Sequence, residues 1–259
     1  MWEIELQAAI EAGLTAKIKI MEIYHQKFDV EIKSDNSPVT IADKTADEII
    51  RNYLSKKFPT HAFLTEESTD DLSRLKNDFV WIVDPVDGTK DFVAKDDQFT
   101  TNIALAYKHE LVVGVVIAPA LDEIYFASKG NGSFFKKGDA APVKIHVNDK
   151  IDDLTMLTSV FHFTEDEQAF INRHSDKIKH VMKRGSSLKP CAIAHGLAEI
   201  TFRSSPNTKE WDTAACQLVV EEAGGLFVQP DGSLIKYNRE DVYNRHGYIV
   251  VNRKENLLK

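Results

Sequence analysis

The sequence predicts a mixed α/β protein in two halves, an α+β half over residues 1–150 and an α/β half over residues 151–259. Three observations carry that prediction. Apolar residues recur at helical spacing over residues 2–28, strand-like runs fill residues 81–127, and strands alternate with helices after residue 150.

Each element follows in order. Leu6, Ile10, Leu14, Ile18 and Met21 lie on one face of the first helix. The polar turn Lys33-Ser34-Asp35-Asn36-Ser37-Pro38 separates it from a second helical pattern at residues 43–57. Residues 62–65 read as a short strand running into Glu66-Glu67-Ser68. The apolar run Trp81-Ile82-Val83 reads as a buried strand with Asp84 at its C-terminal mouth. Residues 99–107 and 111–118 form a hairpin around Lys108-His109-Glu110, extended by residues 123–127. Gly130, Gly132 and Gly138 mark a turn-rich region ending near Asn148-Asp149-Lys150. Beyond it come a strand at 154–160, a helix at 165–172, a helix starting near Ser186 or Ser187, and a strand at 199–202. A helix at 211–222 stops at Gly224-Gly225, and strands at 226–228 and 248–251 close the second sheet.

The chain of 259 residues is long enough to bury a sizeable core, and its 43% apolar and 28% charged residues are ordinary for a globular protein. A net charge of −8 argues against a nucleic-acid polymer as partner, because polymer binders present strong basic patches. It does not oppose a small anionic substrate, since a bound cation inverts the local field. The longest apolar stretch, residues 111–121, is interrupted by Gly114 and Pro119 and is too short for a membrane span. With no basic segment leading into an apolar one at the N-terminus, the expected location is cytoplasmic, loose membrane association aside. Cys191 and Cys216 lack zinc-ligand spacing and are expected to be buried free thiols. His61, His109 and His146 read as solvated or turn residues, and no histidine pair has ligand spacing.

The chemistry concentrates in Asp84-Pro85-Val86-Asp87-Gly88-Thr89. Two hard anionic ligands beside exposed backbone N–H groups suit a divalent cation and a phosphate held together. An Asp-Pro and Asp-Gly turn explains the same residues on backbone grounds alone. Asp43 and Asp212 stand where helices begin, which the helix dipole favours by itself. Glu66 and Glu67 fit a solvated turn equally well. Together, however, so many carboxylates at segment ends repel one another and call for cations.

The segments Glu66-Glu67-Ser68, Asp84-Pro85-Val86-Asp87-Gly88-Thr89, Trp211-Asp212 and Glu222-Ala223-Gly224-Gly225 resemble the Mg²⁺-dependent, lithium-sensitive phosphatases of the inositol monophosphatase superfamily. The resemblance runs in order along nearly the whole chain. It implies a layered αβαβα, sugar-phosphatase-like fold that binds two or three Mg²⁺ ions. By the same resemblance, Glu66, Asp84 and the Val86 carbonyl would hold one ion, with Asp84, Asp87 and Asp212 holding another. Val86 replaces the family's usual Ile or Leu, a harmless change where the ligand is a carbonyl. Gly88 and Thr89 N–H groups would take the phosphate, while the Thr89 hydroxyl and Asp43 would orient and deprotonate the attacking water. Glu67 would sit at the periphery of the metal shell. On this reading Glu66, Asp87 and Asp212 also face the substrate.

Finer likeness is to the 3′(2′),5′-bisphosphate nucleotidase (CysQ-type) branch, through Gly88-Thr89-Lys90-Asp91-Phe92, Gln98-Phe99-Thr100-Thr101-Asn102-Ile103-Ala104, Gly185-Ser186-Ser187-Leu188-Lys189 and Lys209-Glu210-Trp211-Asp212. It implies hydrolysis of the 3′-phosphate of adenosine 3′,5′-bisphosphate to AMP and phosphate. The 3′-phosphoadenylyl sulfate precursor is a further candidate substrate. Ser186 and Lys189 would lie near the nucleotide, and Arg203 is placed to meet the second phosphate. Both cations also have an ordinary explanation as surface charges. Pro190 stands where the branch more often has a non-proline residue, and Tyr107, Phe161, His162 and Phe163 are the candidates for stacking on adenine. The alternatives are an inositol-1-phosphate phosphatase and a non-catalytic binding module on the same fold. Ser205, where the inositol branch tends to have an acidic sugar contact, weighs against the first. The complete set of acidic residues weighs against the second. A monomer or homodimer is expected.

Overall fold

The computed structural model describes residues 1–32 and 38–258. The polar turn expected at 33–38 lies outside the described residues, save for the backbone of Pro38. The chain opens with α1 (Glu3–Tyr24), a two-stranded ribbon of β1 (Val30–Ile32) and β2 (Pro38–Thr40), and α2 (Ile41–Lys57). A seven-stranded sheet follows in sequence order: β3 (Ala62–Thr65), β4 (Phe79–Asp87), β5 (Thr100–Tyr107), β6 (Glu110–Ala118), β7 (Glu123–Ser128), β8 (Gly132–Lys137) and β9 (Val143–Ile145). The short helix α3 (Thr89–Ala94) joins β4 to β5. β3 and β4 are parallel, whereas β4 to β9 form an antiparallel meander. The β5–β6 hairpin turns at Lys108 and His109, both with positive φ, as a two-residue turn matching strand twist requires.

The second half contributes β10 (Leu154–Thr158), α4 (Glu165–Arg173), β11 (Ile178–Lys183), α5 (Leu188–Ala194), β12 (Ile200–Arg203), α6 (Glu210–Glu222), β13 (Leu226–Val228) and β14 (Tyr248–Val251). Its five strands lie in the order β11-β10-β12-β14-β13. The first three are parallel, and β14 runs antiparallel to both neighbours. α6 ends in a left-handed turn: Gly224 has φ +91°, its N–H reaches the Glu221 carbonyl, and the Gly225 N–H reaches that of Val220.

Five layers result, in the order expected. Along β4, Trp81 and Val83 pack with α1 and α2, while Val80 and Ile82 face α5 and α6. That alternation is the two-residue period of a strand covered on both faces. The other sides of α5 and α6 meet the five-stranded sheet, and α4 covers its outer face through Phe170 against Met156, Ile178 and Ile200.

Three readings need correction. The buried face of α1 is the small-residue stripe Ala8, Ala9, Ala12, Gly13 and Ala16, while Ile18 is 61% exposed. Close packing demands this, because a Cβ on Gly13 would lie 2.5 Å from Ile117. The turn-rich region near residue 140 holds β8 and β9, and an unanticipated strand, β11, forms one edge of the second sheet. His61 closes a turn, its N–H donating to the Phe58 carbonyl at 3.1 Å, but its ring is not solvated: it stacks between Phe58 and Phe79 at centroid distances of 4.9 and 4.6 Å. His109 does occupy a turn, and both cysteines are buried free thiols. Among the described residues no helix is long and apolar enough to cross a membrane.

Candidate active site

Asp84 and Asp87 are three residues apart, a spacing that sends side chains to opposite faces of a flat strand. The strand is not flat there. Asp84 pairs with Asn102 and Asp87 with Thr100, so three steps on β4 oppose two on β5. This is a β-bulge, and Pro85, which has no N–H to donate, sits inside it. The extra residue brings both carboxylates to one side. The strand therefore continues through Asp87 rather than ending at Asp84. The Val86 N–H donates to Asp84 Oδ1 at 3.1 Å, and the Thr101 hydroxyl donates to the Pro85 carbonyl at 2.8 Å.

Two more acids arrive on helix starts. Asp43 Oδ2 accepts from the Thr40 N–H at 2.8 Å and the Thr40 hydroxyl at 2.7 Å, closing the first turn of α2. Its other oxygen, Oδ1, lies 3.2 Å from the Thr89 hydroxyl, which is also 3.3 Å from the Val86 carbonyl. Asp212 repeats the device on α6, with Oδ2 accepting from the Lys209 N–H at 2.6 Å. Capping and site-building thus coexist, one carboxylate serving both. Glu66 follows β3 directly, its N–H donating to the Val83 carbonyl one residue before Asp84.

Asp84, Asp87 and Asp212 offer oxygens that all lie within 4.8 Å of one another. Such hard donors at such spacing fit a divalent cation of the Mg²⁺ type. The electrostatics fit as well. Burial, then the charges of Glu66, Asp87 and Asp212, push Asp84 well above the usual carboxylate range. Asp212 is raised to about 7 by burial and then by Asp87 and Glu66, and burial also raises Asp43. A cation is what would let these groups ionise together.

α3 begins beside them. Gly88 has φ +87°, and a Cβ there would come within 3.1 Å of Asp91 Oδ2 and 3.2 Å of Ser186 Cβ, so glycine is required on two counts. Facing it, Ser187 donates through both its N–H and its hydroxyl to Asp87 Oδ2, each at 2.8 Å. Asn102 Nδ2 adds a third donor at 3.2 Å. Ser186 turns with φ +40° and donates its hydroxyl to the Gln98 carbonyl at 2.9 Å. Lys189 is only 8% exposed, with Nζ 2.7 Å from the Ser186 carbonyl. Burial lowers its proton affinity, while the Asp87 carboxylate opposes the drop. Arg203 Nη1 donates to the buried Glu167 at 2.8 Å and to the His162 carbonyl.

One cavity of about 490 Å³ gathers Glu66, Asp84, Val86, Asp87, Gly88, Thr89, Ser186, Lys189, Arg203 and Asp212. Asp43 is outside its lining and reaches it through Thr89. Pro190 and Ser205 line it too, whereas Glu67 does not. Of the four residues named for adenine, only His162 does. Tyr107 packs against Trp2 and Phe79, and Phe161 and Phe163 are exposed and outside the lining. The sequence reading missed Ser187, although a serine just ahead of a helix is a capping signal. It also missed the wall made by Lys209, Trp211 and Tyr243. Tyr243 comes from a loop that pairs with Lys209 across more than thirty intervening residues, and no local pattern announces that.

Two carboxylates at a strand bulge and a third from α6, in a cavity that cations also line, have the donor set a metal-dependent phosphatase would need. Residues 2–259 match the inositol monophosphatase family, and the chain belongs to it. A relative from Buchnera aphidicola, named 3′(2′),5′-bisphosphate nucleotidase CysQ, is 34% identical over 92% of this chain and 89% of its own. A protein from Pasteurella multocida named Nus factor SuhB is also 34% identical, over 88% of this chain and 85% of its own. Among solved structures, CysQ from Bacteroides thetaiotaomicron superposes with a TM-score of 0.86 at 35% identity, covering 98% and 99% of the two chains. The family is metal-dependent, and the acidic cluster could hold such an ion.

Proposed function

We propose that this protein removes the 3′-phosphate of adenosine 3′,5′-bisphosphate, giving AMP and inorganic phosphate, with 3′-phosphoadenylyl sulfate as a second substrate. The observation that carries the reading is a cavity lined by both signs of charge: Asp84, Asp87 and Asp212 offer oxygens to a cation, and Lys189 and Arg203 line the same cavity. A substrate with a single phosphate leaves these two cations unanswered; a second phosphate can take them. The CysQ name of the relatives from Buchnera aphidicola and Escherichia coli supports the same substrate.

Glu66, Asp84 and the Val86 carbonyl would hold one Mg²⁺, and Asp84, Asp87 and Asp212 another. Bound there, Mg²⁺ neutralises the phosphate and makes the attacking water more acidic. The protein supplies the rest. Gly88 and Thr89 N–H groups at the start of α3 hold the phosphate oxygens. The Thr89 hydroxyl orients the water and passes its proton to Asp43, whose raised proton affinity suits a base. The water oxygen bonds to phosphorus, the bond from phosphorus to the ribose 3′-oxygen breaks, and that oxygen takes a proton from solvent. Ser186, Lys189 and Arg203 hold the nucleotide. The reading includes a cytoplasmic location and a freely diffusing small substrate.

The test compares kcat/KM for adenosine 3′,5′-bisphosphate and inositol 1-phosphate with Mg²⁺. A large nucleotide preference is expected. A preference for inositol 1-phosphate would retain the catalytic groups and reject the nucleotide pocket, and no activity on either would favour a binding module.

A further inference from the structure

Lys90, one of the cations lining the cavity, has no task in this scheme. Lys90 is the second residue of α3 and lines the cavity immediately after Thr89. The other two cations near it are partly spent. Lys189 donates to the Ser186 carbonyl, and Arg203 is held by Glu167 and the His162 carbonyl. Lys90 is exposed and forms no ion pair among the described residues, so all three of its N–H donors are available.

The three charges converge on one place. His162, at the cavity rim, is pushed down to about 4, first by desolvation and then by Lys90, Arg203 and Lys189, in that order of strength. The three cations outweigh the opposing charge of Asp87 at that point of the cavity lining. Lys90 reaches it from α3, Arg203 from β12 and Lys189 from α5. A dianion placed there meets cations from three elements.

We propose that Lys90 determines specificity in this enzyme: its ammonium closes over the second phosphate of the substrate, beside Arg203, and so selects a bisphosphate over a monophosphate. The proposal rests on the bisphosphate reading above. A flexible four-carbon stem with a compact charge suits a group that must close after the nucleotide enters.

The test uses adenosine 3′,5′-bisphosphate and adenosine 3′-monophosphate, which differ only in the second phosphate. In Lys90→Ala the ratio of kcat/KM between them should fall about tenfold or more, the worth of one charge-assisted hydrogen bond, and the loss should appear in KM. Lys90→Arg should recover most of the ratio. An unmoved ratio, or an equal fall in kcat on both substrates, would overturn the proposal. If the parent cleaves the bisphosphate well while the ratio stays put, only the role of Lys90 is lost. A parent with no preference for the bisphosphate would remove the substrate reading along with it.

Discussion

Replacing Asp212 by asparagine should flatten the pH dependence of stability of the metal-free protein. Asp212 sits at about 7 against an ordinary 3.8, because it is desolvated and because Asp87 and Glu66 face it. Its folded-state proton affinity is above the unfolded one. The stability it contributes is therefore fully present below the unfolded pKa and is lost as pH rises to about 7. Each tenfold change in proton affinity is worth ~1.4 kcal/mol, so the whole loss is on the order of 4 kcal/mol. Between about pH 5 and pH 8 the share still to be lost is roughly 3 kcal/mol. Urea unfolding of chelator-treated protein at those two pH values measures it. The parent should lose more stability than Asp212→Asn by about that amount, since asparagine still accepts from the Lys209 N–H and has no proton to lose. Added Mg²⁺ binds the ionised form, so it should stabilise the parent more at the higher pH and Asp212→Asn far less. Parallel pH profiles for parent and variant would refute the reasoning.

Asp84→Asn removes the carboxylate shared by both proposed cation sites and should lower kcat/KM by at least ~100-fold with the fold intact, the upper end for losing even an outer-shell partner; steady-state kinetics alongside circular dichroism read both. Turnover at a substantial fraction of the parent would rule the shared role out. Lys189→Ala should weaken use of adenosine 3′,5′-bisphosphate far more than use of inositol 1-phosphate, and equal losses on the two would take Lys189 out of the specificity argument.

The regular elements and the acidic positions were legible because their signals are local. Gly224-Gly225 stops α6 through two backbone hydrogen bonds, and the run before Asp84 is apolar on both faces because both faces are covered. What escaped was set by partners distant in sequence. β11 exposes five of its six residues at a sheet edge, so it carries no burial alternation to detect. On α1 the large residues Leu6, Ile10, Leu14 and Met21 do pack on the core, only partly buried, whereas the fully buried stripe is made of small residues that no apolar pattern singles out, and Ile18 is exposed. The bulge at Pro85 is visible only in the register against β5, yet it is the step that puts Asp84 and Asp87 on one side.

The location of the site follows from the layering. Its acids come from four segments that span most of the chain, and like charges at such distances repel: at 4.8 Å and an effective dielectric constant near 20, each ionised pair costs roughly 3 kcal/mol. No local preference would assemble them. α6 does, because it is wedged between the two sheets with Trp211, Ala214, Ala215, Leu218 and Val219 buried, and its seat puts Asp212 beside Asp84 and Asp87. Gly114 shows how tight that seat is: a Cβ there would come within 2.5 Å of the Ala215 carbonyl. Full burial of each large apolar side chain is worth ~1.5–3 kcal/mol, so the burial of Trp211, Leu218 and Val219 is of the same order as the repulsion among the three carboxylates. The core between the sheets thus holds the carboxylates at a spacing that a divalent cation relieves, and cation affinity is stored in the packing of α6 as much as in its ligands.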